Sequence, residues 1–579
     1  MDREYTSWVS LTQQRAAQYA DKPAYIFLEN GDFAGQTISY SELDTRARAL
    51  ATRLQQIGSK GDRVLLIYDS CVENMVAFFG CLYAGLIAVP VVFPHKGSHN
   101  ARLENIFLDC NARLVLSTQK QRADIERRCH GSLLLRQFTW LASDTVTASE
   151  SAGWKETFPD RDTVAFLQYT SGSTGSPKGV TVSHGNLLCN QGMMRRAFGA
   201  DENSTIVSWL PIFHDMGLIG LMLHAFYVGT TCVFMPPMSF LQQPARWLKA
   251  ISAYKAYLSG GPNFSYTLCE KKVPEELLEN LDLSSWRVAL NGAEPVRFED
   301  LEGFSRRFAR CGFQKKSFYP GYGMAEATLI ISGASPLDEP LYRWVDKESL
   351  RHDQIVSRPA NDSAAQPLVG CGSSILDETI VVVDADGQPC PDDRIGEIWV
   401  AGEHIAQGYW ERPEATRKTF HAYLKDGRGP FLRTGDLGFL QNGTLFITGR
   451  LKEVIILQGV KHYPQDIETC IVARVPEVRD HGVAAFSVAG PSGEQVVAAA
   501  EVEREVLRRI DLQRLAAEIR RVVAQDYGIA LLDVVLIRPG TLPKTTSGKI
   551  QRRLCSDLYL SGGFQLCQQA ARHQAAVIL

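Results

Sequence analysis

A loop rich in glycine and hydroxyl side chains is the first stretch of the sequence whose residue types could do chemistry. It runs from Tyr169 to Val180 and reads YTSGSTGSPKGV. Exposed backbone N–H groups, hydroxyls and an ammonium together suit a polyphosphate. The loop does not match the Walker motif, because Pro177 precedes Lys178 and Gly179 follows it. The alternative is a solvated glycine-serine turn, which has a similar composition.

Four later clusters place single charged or aromatic side chains beside glycine or proline. Alone, a carboxylate or lysine in such a cluster is more often a solvated surface charge. The clusters are NGAEP from Asn291, YPGYGMAEAT from Tyr319, TGD from Thr434 with GR from Gly449, and PKTTSGK from Pro543. Their order along the chain therefore carries the functional argument, rather than any one of them.

Apolar runs that end in small or turn-forming residues are followed by helical patterns in the first half of the chain. The runs are RVLLIY from Arg63, ARLVLST from Ala112, VAFLQYTSG from Val164 and RVALNG from Arg287. This alternation predicts an α/β fold with largely parallel sheets. Ligands in such folds gather at the carboxyl ends of the strands, where the clusters beginning at Tyr169, Asn291 and Tyr319 fall.

Length and composition exclude several classes of protein. A chain of 579 residues exceeds what one hydrophobic core supports, which predicts two or more domains. A formal charge of −3 lacks the positive excess that nucleic-acid binding requires. The thirteen cysteines form an odd set without metal-site spacing, which predicts free thiols in a reducing compartment. The N-terminus has no continuous apolar stretch, so we expect a cytoplasmic location.

One charge-free segment, Met75 to Pro94, is long enough to span a bilayer. Gly80, Gly85 and Pro90 interrupt it. The pattern predicts a helix that ends near Gly85 and a buried strand at 87–92. We therefore predict no transmembrane segment.

After about Gly449 the sequence pattern changes to one that predicts a smaller α+β unit. A hairpin is predicted from two apolar runs, VAAFSVAG and VVAAAEVE, on either side of turn residues at 491–493. A helix is predicted to begin after Asp511 and to end at Gly528. Its apolar face consists of Leu512, Leu515, Ala516, Ile519, Val522 and Val523.

The five ordered clusters resemble the motifs of the acyl-adenylate-forming superfamily, which includes acyl-CoA ligases, luciferases and peptide-synthetase adenylation domains. The resemblance spans nearly the whole chain. It implies a large N-terminal adenylation domain at 1–449, a hinge at 450–454 and a small, mobile C-terminal domain at 455–579. The cofactors it implies are ATP and Mg²⁺.

The resemblance also implies roles for individual residues. Lys549 is the catalytic lysine, Glu326 helps to hold Mg²⁺, and Lys452 is the hinge pivot. The residues implied to bind ATP or AMP are Thr170, Ser171, Gly172, Ser173, Thr174, Gly175, Lys178, Asn291, Gly292, Ala293, Glu294, Pro295, Tyr322, Gly323, Met324, Asp436 and Arg450. A structural salt bridge is the alternative for Arg450, and an ordinary surface position is the alternative for Lys452.

The implied reaction is attack of a substrate carboxylate on the α-phosphorus of ATP, with pyrophosphate as leaving group and an acyl-AMP as product. Both partners are anions, so positive charge must be concentrated where negative charge builds in the transition state. We assign this part to Lys549. No general base is needed, because a carboxylate is already ionised at pH 7.

Within the superfamily the chain looks most like fatty acyl-AMP ligases, which pass the acyl group to the phosphopantetheine thiol of a carrier protein. The stretches that carry this likeness are WLPIFHDMGLIG, SGGPNFSY, LDLSSWRVALNGAEPV and LVGCG. A polar segment at 337–368, without clear periodicity, lies where these ligases have an insertion, and we predict a surface insertion there. The implied substrates are a fatty acid and a holo acyl carrier protein. The implied acyl-binding residues are His214, Met216, Gly261 and Asn263.

Other functions remain open at this point. The nearest is a fatty acyl-CoA ligase, with the same first half-reaction, and Val460-Lys461 replaces the basic-asparagine pair usual in the family. An amino-acid-adenylating enzyme needs an acidic partner for the substrate ammonium, and Asp215 is the only candidate. A core-packed histidine is the alternative for His214. A non-catalytic homologue would have lost the charges that the chemistry needs, and these are present.

Overall fold

The computed structural model describes most of the chain and supports the predicted two-domain α/β organisation. The residues it describes are 5–93, 101–128, 137–170, 177–336, 338–457, 460–490, 493–507, 509–545 and 548–567.

The large domain is built on two mostly parallel sheets. In the nine-stranded sheet, six neighbouring strands pair in parallel, and antiparallel strands lie at both edges. Its strands, in spatial order, are Ser373–Ser374, Ile330–Gly333, Phe318–Gly323, Val288–Asn291, Leu258–Gly261, Ile206–Ser208, Cys232–Phe234, Pro23–Leu28 and Ala34–Ser39. The central strands are buried, as expected for a parallel sheet that is covered on both faces.

The six-stranded sheet contains three of the four strands that the sequence predicts. Its first five strands are parallel and the last is antiparallel. In spatial order they are Thr139–Ala142, Leu114–Ser117, Arg63–Ile67, Ile87–Val91, Val164–Thr170 and Lys178–Ser183. The fourth predicted strand is Val288–Asn291 of the larger sheet, so all four predictions are confirmed.

Helices cover the faces of both sheets. The main helices of this layer are Trp8–Gln18, Tyr40–Ile57, Val72–Ala84, Ala101–Cys110, Gln119–Arg128, His184–Phe198, Pro237–Gln242, Ala245–Ala253, Asn263–Lys272, Glu275–Leu278 and Phe298–Phe308. Asp215–Gly217, the π-helical turn Leu218–Leu223 and His224–Val228 follow one another as a further helical stretch.

The charge-free segment is part of the protein core. Every residue of the helix Val72–Ala84 is buried, and the helix ends at Gly85, whose φ of 72° suits a residue without a side chain. The strand Ile87–Val91 follows and is also fully buried. In the described part of the chain, the model contains no helix long and apolar enough to cross a membrane.

The large domain ends in a four-stranded antiparallel sheet and the helix Pro413–Phe420. Its strands are Thr379–Val383, Gly396–Ala401, Leu432–Gln441 and Thr444–Arg450. The last two strands pair so that Asp436 lies opposite Arg450. This register brings together two residues that are 14 positions apart.

The segment at 338–368 has more structure than its sequence indicates. It forms an antiparallel strand pair, Tyr342–Asp346 with Ala365–Val369, and the short helix Lys347–Arg351. We call it the insertion hairpin. Val345 and Leu350 are buried beside Phe439. The hairpin is therefore anchored in a hydrophobic cluster rather than lying wholly on the surface.

The small domain has its own hydrophobic core and the predicted α+β composition. Its strands are Ile455–Leu457, Val460–His462, Val478–Gly490, Gly493–Val502 and Asp533–Ile537, and its helices are Pro464–Arg474, Leu512–Tyr527 and Arg552–Leu560. Asp511 caps the helix Leu512–Tyr527, and Gly528 ends it with a φ of 68°. The predicted hairpin and helix are both confirmed.

Candidate active site

One cavity of about 1660 Å³ lies between the two domains, at the carboxyl ends of strands in the larger sheet. It is lined by residues from both domains. Sixteen of the residues singled out in the sequence line it: Thr170, Lys178, His214, Met216, Gly292, Ala293, Glu294, Pro295, Tyr322, Gly323, Met324, Glu326, Asp436, Arg450, Lys452 and Lys549. The structure thus brings together clusters that are spread over nearly 400 positions.

Asn291, Asn263 and Gly261 lie behind the cavity wall instead. The Asn291 side-chain amide donates to Asn263 Oδ1 over 3.1 Å, and Asn263 Nδ2 donates to the Pro295 carbonyl over 2.8 Å. These bonds brace the turn Asn291 to Pro295 from behind. A Cβ on Gly261 would lie 2.7 Å from the Trp209 ring, which packs against this strand. Both residues are buried, and the acyl-binding prediction for Gly261 and Asn263 stays a prediction.

The predicted phosphate loop is described only at its two ends. Ser171, Gly172, Ser173, Thr174 and Gly175 lie outside the described residues. Thr170 and Lys178, on either side of the undescribed residues, are partners across an antiparallel strand pair. The Lys178 ammonium lies 4.6 Å from the centroid of the Tyr409 ring, where a cation and the ring face attract. Burial lowers the pKa of Lys178, and the charge of Lys452 lowers it further.

Glu326 is a buried carboxylate held by Tyr409. It lies in the one-turn helix Ala325–Ala327, and the Tyr409 hydroxyl donates to its Oε1 over 2.8 Å. Burial raises the pKa of Glu326, whereas the bond from Tyr409 opposes this shift by stabilising the charged form. Sequence reasoning missed Tyr409, which is 83 positions from its partner.

Asp436 is the centre of a second hydrogen-bond network in the cavity. The Tyr322 hydroxyl donates to Oδ2 over 2.8 Å, and Arg450 Nε donates to Oδ1 over 2.9 Å. The carboxylate raises the pKa of Arg450, so this guanidinium stays charged. Each carboxylate oxygen keeps a second lone pair, so Asp436 can still accept hydrogen bonds from a ligand hydroxyl.

Lys549 reaches the cavity on a tight loop of the small domain. Its backbone N–H donates to Thr545 Oγ1 over 3.0 Å, and its carbonyl accepts from the Thr545 N–H over 2.7 Å. Gly548 has a φ of 87°, and a Cβ there would lie 2.7 Å from the Phe264 ring of the large domain. Only a glycine permits this approach, so the loop is seated directly on the large domain.

The charges around Lys549 partly compensate its burial. Burial lowers the pKa of Lys549 and the positive charge of Arg450 acts in the same direction, whereas Asp215, Asp436 and Glu294 oppose both. Three carboxylates from separate segments of the large domain therefore favour the charged ammonium. This arrangement places a positive charge where anionic reactants would meet.

His214 and Asp215 form a pair beside the lysine. His214 Nδ1 and Asp215 Oδ1 lie 2.9 Å apart, and the Met216 N–H donates to the same oxygen over 2.7 Å. Burial alone would raise the pKa of Asp215, but the bond to His214 and the charge of Lys549 outweigh it and lower the pKa. The π-helical turn Leu218–Leu223 follows, a feature frequent at functional sites.

This fold, with a carboxylate network, a lysine loop and a shared interdomain cavity, is that of a nucleotide-dependent adenylating enzyme. Comparison with known families agrees. Residues 12–410 match the model of the AMP-binding enzyme family, and residues 452–569 match the AMP domain described as Disco-interacting protein 2-like. The chain belongs to the AMP-binding enzyme family, which confirms the resemblance seen in its motifs.

Individual relatives align along nearly the full length of the chain. The medium-chain-fatty-acid–[acyl-carrier-protein] ligase JamA of Moorena producens is 40% identical over 567 residues, covering 96% of each chain. The ligase of the same description from Teredinibacter turnerae, TtuA, is 36% identical and covers 92% of this chain and 90% of its own. A fatty acyl-adenylate ligase from L. pneumophila, crystallised with acyl adenylate and pyrophosphate, is 38% identical, with a TM-score of 0.75 and 96% coverage of both chains.

Proposed function

We propose that this protein activates a fatty acid as its acyl-AMP, releases pyrophosphate, and passes the acyl group to the phosphopantetheine thiol of a holo carrier protein. The observation that carries the proposal is the composition of the cavity. It combines Lys549, Glu326 and Asp436 with an apolar side lined by Phe198, Leu290 and others. ATP is the nucleotide that AMP-binding enzymes use.

The nucleotide is assigned to the walls supplied by the large domain. The adenine lies against the turn Gly292 to Pro295 and the Tyr322 ring, and its ribose hydroxyls bond to Asp436. Arg450 donates to that carboxylate and holds it in place. The phosphates are assigned to Thr170, Lys178 and the loop between them. The positive charge of Lys178, which lines the cavity, supports this assignment.

Glu326 is the residue proposed to hold Mg²⁺. Magnesium in nucleotide sites is bound through one or two carboxylates together with the substrate phosphates. Glu326 is a buried carboxylate that lines the cavity, which fits this pattern. The ion would neutralise phosphate charge.

Lys549 is assigned the role of offsetting, with its positive charge, the repulsion between the two anionic reactants. A carboxylate oxygen of the acid forms a bond to the α-phosphorus, the bond to the bridging oxygen of the β-phosphate breaks, and pyrophosphate carries the electron pair away. An ammonium beside both groups stabilises the negative charge that builds on the non-bridging oxygens. His214 is placed to orient the carboxylate.

The acid is proposed to be fatty rather than an amino acid. Asp215 is the one acidic candidate for an ammonium partner that the sequence offers, but its Oδ1 accepts from both His214 and the Met216 N–H. Its charge is further compensated by Lys549. The apolar side of the cavity favours an alkyl chain, at about 0.8 kcal/mol per buried methylene.

The acceptor is proposed to be a carrier protein rather than free CoA. The relatives from M. producens and T. turnerae are both described as acyl-carrier-protein ligases. In this chain the insertion hairpin touches the small domain directly. Gln366 Nε2 donates to Asp466 Oδ1 over 2.9 Å, and Lys461 Nζ lies 2.5 Å from Asp353 Oδ2. A carrier protein brings binding surface of its own that can offset the loss of these contacts when the small domain turns.

The pivot of that turn is assigned to Lys452, and the domain limits to 1–449 and 455–579. Residues 451–453 form a turn directly after the last strand of the large domain. Such a turn can absorb a change of backbone dihedrals. We also propose a cytoplasmic location, in keeping with the free cysteines of the described chain.

The test has two stages. Purified protein with ATP, Mg²⁺ and a fatty acid should release pyrophosphate, and should release none without the acid. Acyl-AMP is then offered holo carrier protein, apo carrier protein or CoA at matched concentration. Transfer to the holo form alone is expected. ATP turnover that does not depend on the acid would refute adenylation, whereas efficient acyl-CoA formation would refute only the choice of acceptor.

A further inference from the structure

We call the groove that part of the cavity lined by Phe198, Leu290, Ile330 and two glycines of one strand. On the strand Phe318–Gly323, side chains alternate between faces, so Tyr319, Gly321 and Gly323 share one face. Both glycines line the cavity, and a Cβ on Gly321 would meet no atom closer than 3.6 Å. On this face the two glycines therefore put no side chain into the cavity, and Tyr319 beyond them does not line it.

The helix His184–Phe198 forms the opposite wall of this groove. Two hydrogen bonds tie Asn190 to the backbone of Ile330, at 2.9 and 3.2 Å. Phe198 is the last residue of this helix, and its carbonyl accepts a hydrogen bond from the Tyr257 hydroxyl over 3.0 Å. Because Tyr257 precedes the strand Leu258–Gly261, Phe198 lies at the edge of the sheet opposite the nucleotide.

The Phe198 ring closes the groove at that edge. It lines the cavity, and only 1% of the residue is exposed. Tyr319 packs edge-on against the ring at a centroid distance of 5.1 Å, and His224 does so at 5.4 Å. Gly199, with a φ of 64°, ends the helix directly after it. The ring is thus held on two sides and acts as a fixed wall.

Two polar atoms lie behind that wall. Tyr319 Oη and His224 Nε2 are buried, and neither has a hydrogen-bond partner in the described part of the chain. Neither residue lines the cavity, which places the Phe198 ring between them and the groove. An alkyl chain that pushed past the ring would meet unpaired polar groups instead of apolar contacts. Extension beyond the ring is therefore unfavourable.

We propose that Phe198 sets the upper limit on the length of the acyl chain, and that the protein prefers straight-chain acids of medium length. The inference rests on the proposed function. Tyr319 is four residues from Gly323, a distance of about 13 Å along a strand. Bonds of about 1.5 Å advance an extended alkyl chain by about 1.25 Å per carbon. The groove accommodates roughly ten carbons on these figures.

The experiment measures kcat/KM for pyrophosphate release with ATP, Mg²⁺ and even-numbered straight-chain acids from butyrate to stearate. In the unaltered protein, kcat/KM should rise up to about fourfold for each added methylene, then fall beyond a limit near decanoate. In Phe198→Ala the limit should move to longer acids. The ratio of kcat/KM for myristate to that for octanoate should increase about 16-fold or more, because two further methylenes are buried.

Two further variants keep the result interpretable. Phe198→Leu is a more conservative change that leaves a smaller side chain at the end of the groove, and it should increase the ratio by less. This variant tests the inference if Phe198→Ala does not fold. Phe313→Ala is the matched control, since Phe313 is a buried aromatic that packs on Trp286 and does not line the cavity. It should leave the ratio unchanged.

The outcomes separate this inference from the function on which it rests. If no acid supports pyrophosphate release, the proposed function fails. If acids are adenylated but the folded Phe198 variants keep the ratio of the unaltered protein, adenylation stands and Phe198 is not the length determinant. A shift in the Phe198 variants that Phe313→Ala also shows would equally overturn the inference.

Discussion

The nucleotide wall of the cavity and the lysine loop are held in place by different means. On the wall, Asp436 is fixed by Tyr322 and Arg450, and Glu326 is fixed by Tyr409, through buried or partly buried hydrogen bonds within the large domain and its last strand. The wall therefore exists before any ligand arrives. The lysine loop is braced mainly by its own backbone, and reaches the wall only because the small domain is docked.

Several contacts that dock the small domain are polar and partly exposed, although Tyr463 also packs in a buried cluster with Leu437 and Phe439 of the large domain. Lys271 pairs with Asp480 across the interface, with 55% and 32% of their side chains exposed. His481 Nε2 lies 3.4 Å from Thr267 Oγ1, near the limit of a hydrogen bond. Exposed ion pairs contribute only about 0–1 kcal/mol, so such an interface can separate. We infer from this difference that the nucleotide wall determines the affinity for ATP, whereas the docked lysine loop determines the rate of the chemical step.

The largest expected effect comes from removing the lysine while leaving the wall intact. Lys549→Ala should slow single-turnover formation of acyl-AMP by about 10²–10³-fold, the equivalent of about 3–4 kcal/mol of transition-state stabilisation. The affinity for ATP should change little, because the nucleotide is held by the large domain. Rapid quench and equilibrium binding measure the two quantities.

Lys425→Ala is the control for that variant, because Lys425 is exposed and does not line the cavity. It should behave as the unaltered protein in both assays. A large loss of ATP affinity in Lys549→Ala, with the chemical step preserved, would contradict the separation of the two regions.

The second effect comes from breaking the wall while leaving the lysine loop intact. Asp436→Asn keeps the shape of the side chain but removes the charge that pairs with Arg450. Hydrogen bonds to charged groups contribute about 1.5–3 kcal/mol, so ATP affinity should fall by about 10–150-fold. The chemical step at saturating ATP should fall by less. Asp426→Asn, on the exposed surface, provides the matched control.

The sequence predicts those features of the fold and site that depend on a few neighbouring residues. The helix after Asp511 is capped by that residue and ends at Gly528, because capping and left-handed glycine are properties of a few neighbouring positions. The helix near Met75 can be distinguished from a membrane span because glycine and proline interrupt the charge-free segment that contains it. The cavity residues follow from five ordered motifs, each of which is a short local pattern.

What the sequence does not predict depends on contacts between distant positions. Tyr409 meets Glu326 across 83 positions, and no local pattern marks it. Asn263 is recognised as part of a motif, but only the fold shows that it braces Pro295 from behind. The strands of the insertion hairpin pair with each other over five positions, and neither strand has the strict alternation of buried and exposed residues that marks a strand in a sequence.

The third effect concerns the protonation states of the two regions. Burial raises the pKa of Glu326 and lowers that of Lys549, and adenylation needs the first ionised and the second protonated. Activity should therefore fall in acid above the ordinary glutamate range, and in base below the ordinary lysine range. Tyr409→Phe removes a bond that stabilises the ionised Glu326, so the acidic limb should move to higher pH.

The size of that shift follows from one hydrogen bond to a charged group, about 1.5–3 kcal/mol, or about one to two pH units. The pH dependence of kcat/KM for the acid measures it, and the basic limb serves as the internal control. Movement of the basic limb instead, with the acidic limb unchanged, would show that Tyr409 acts on the lysine side of the cavity.

The smallest effect tests whether the insertion hairpin helps to dock the lysine loop. Asp353 and Lys461 pair across the interface with 25% and 32% of their side chains exposed, so the pair should contribute about 0.2–1 kcal/mol. Asp353→Ala and Lys461→Ala should each slow single-turnover adenylation by at most about fivefold, and less at high salt, which screens the pair. The double variant should be no slower than either single one, because partners in one contact are not additive. Additive losses would mean that the two residues act independently and that the hairpin does not position the small domain through this pair.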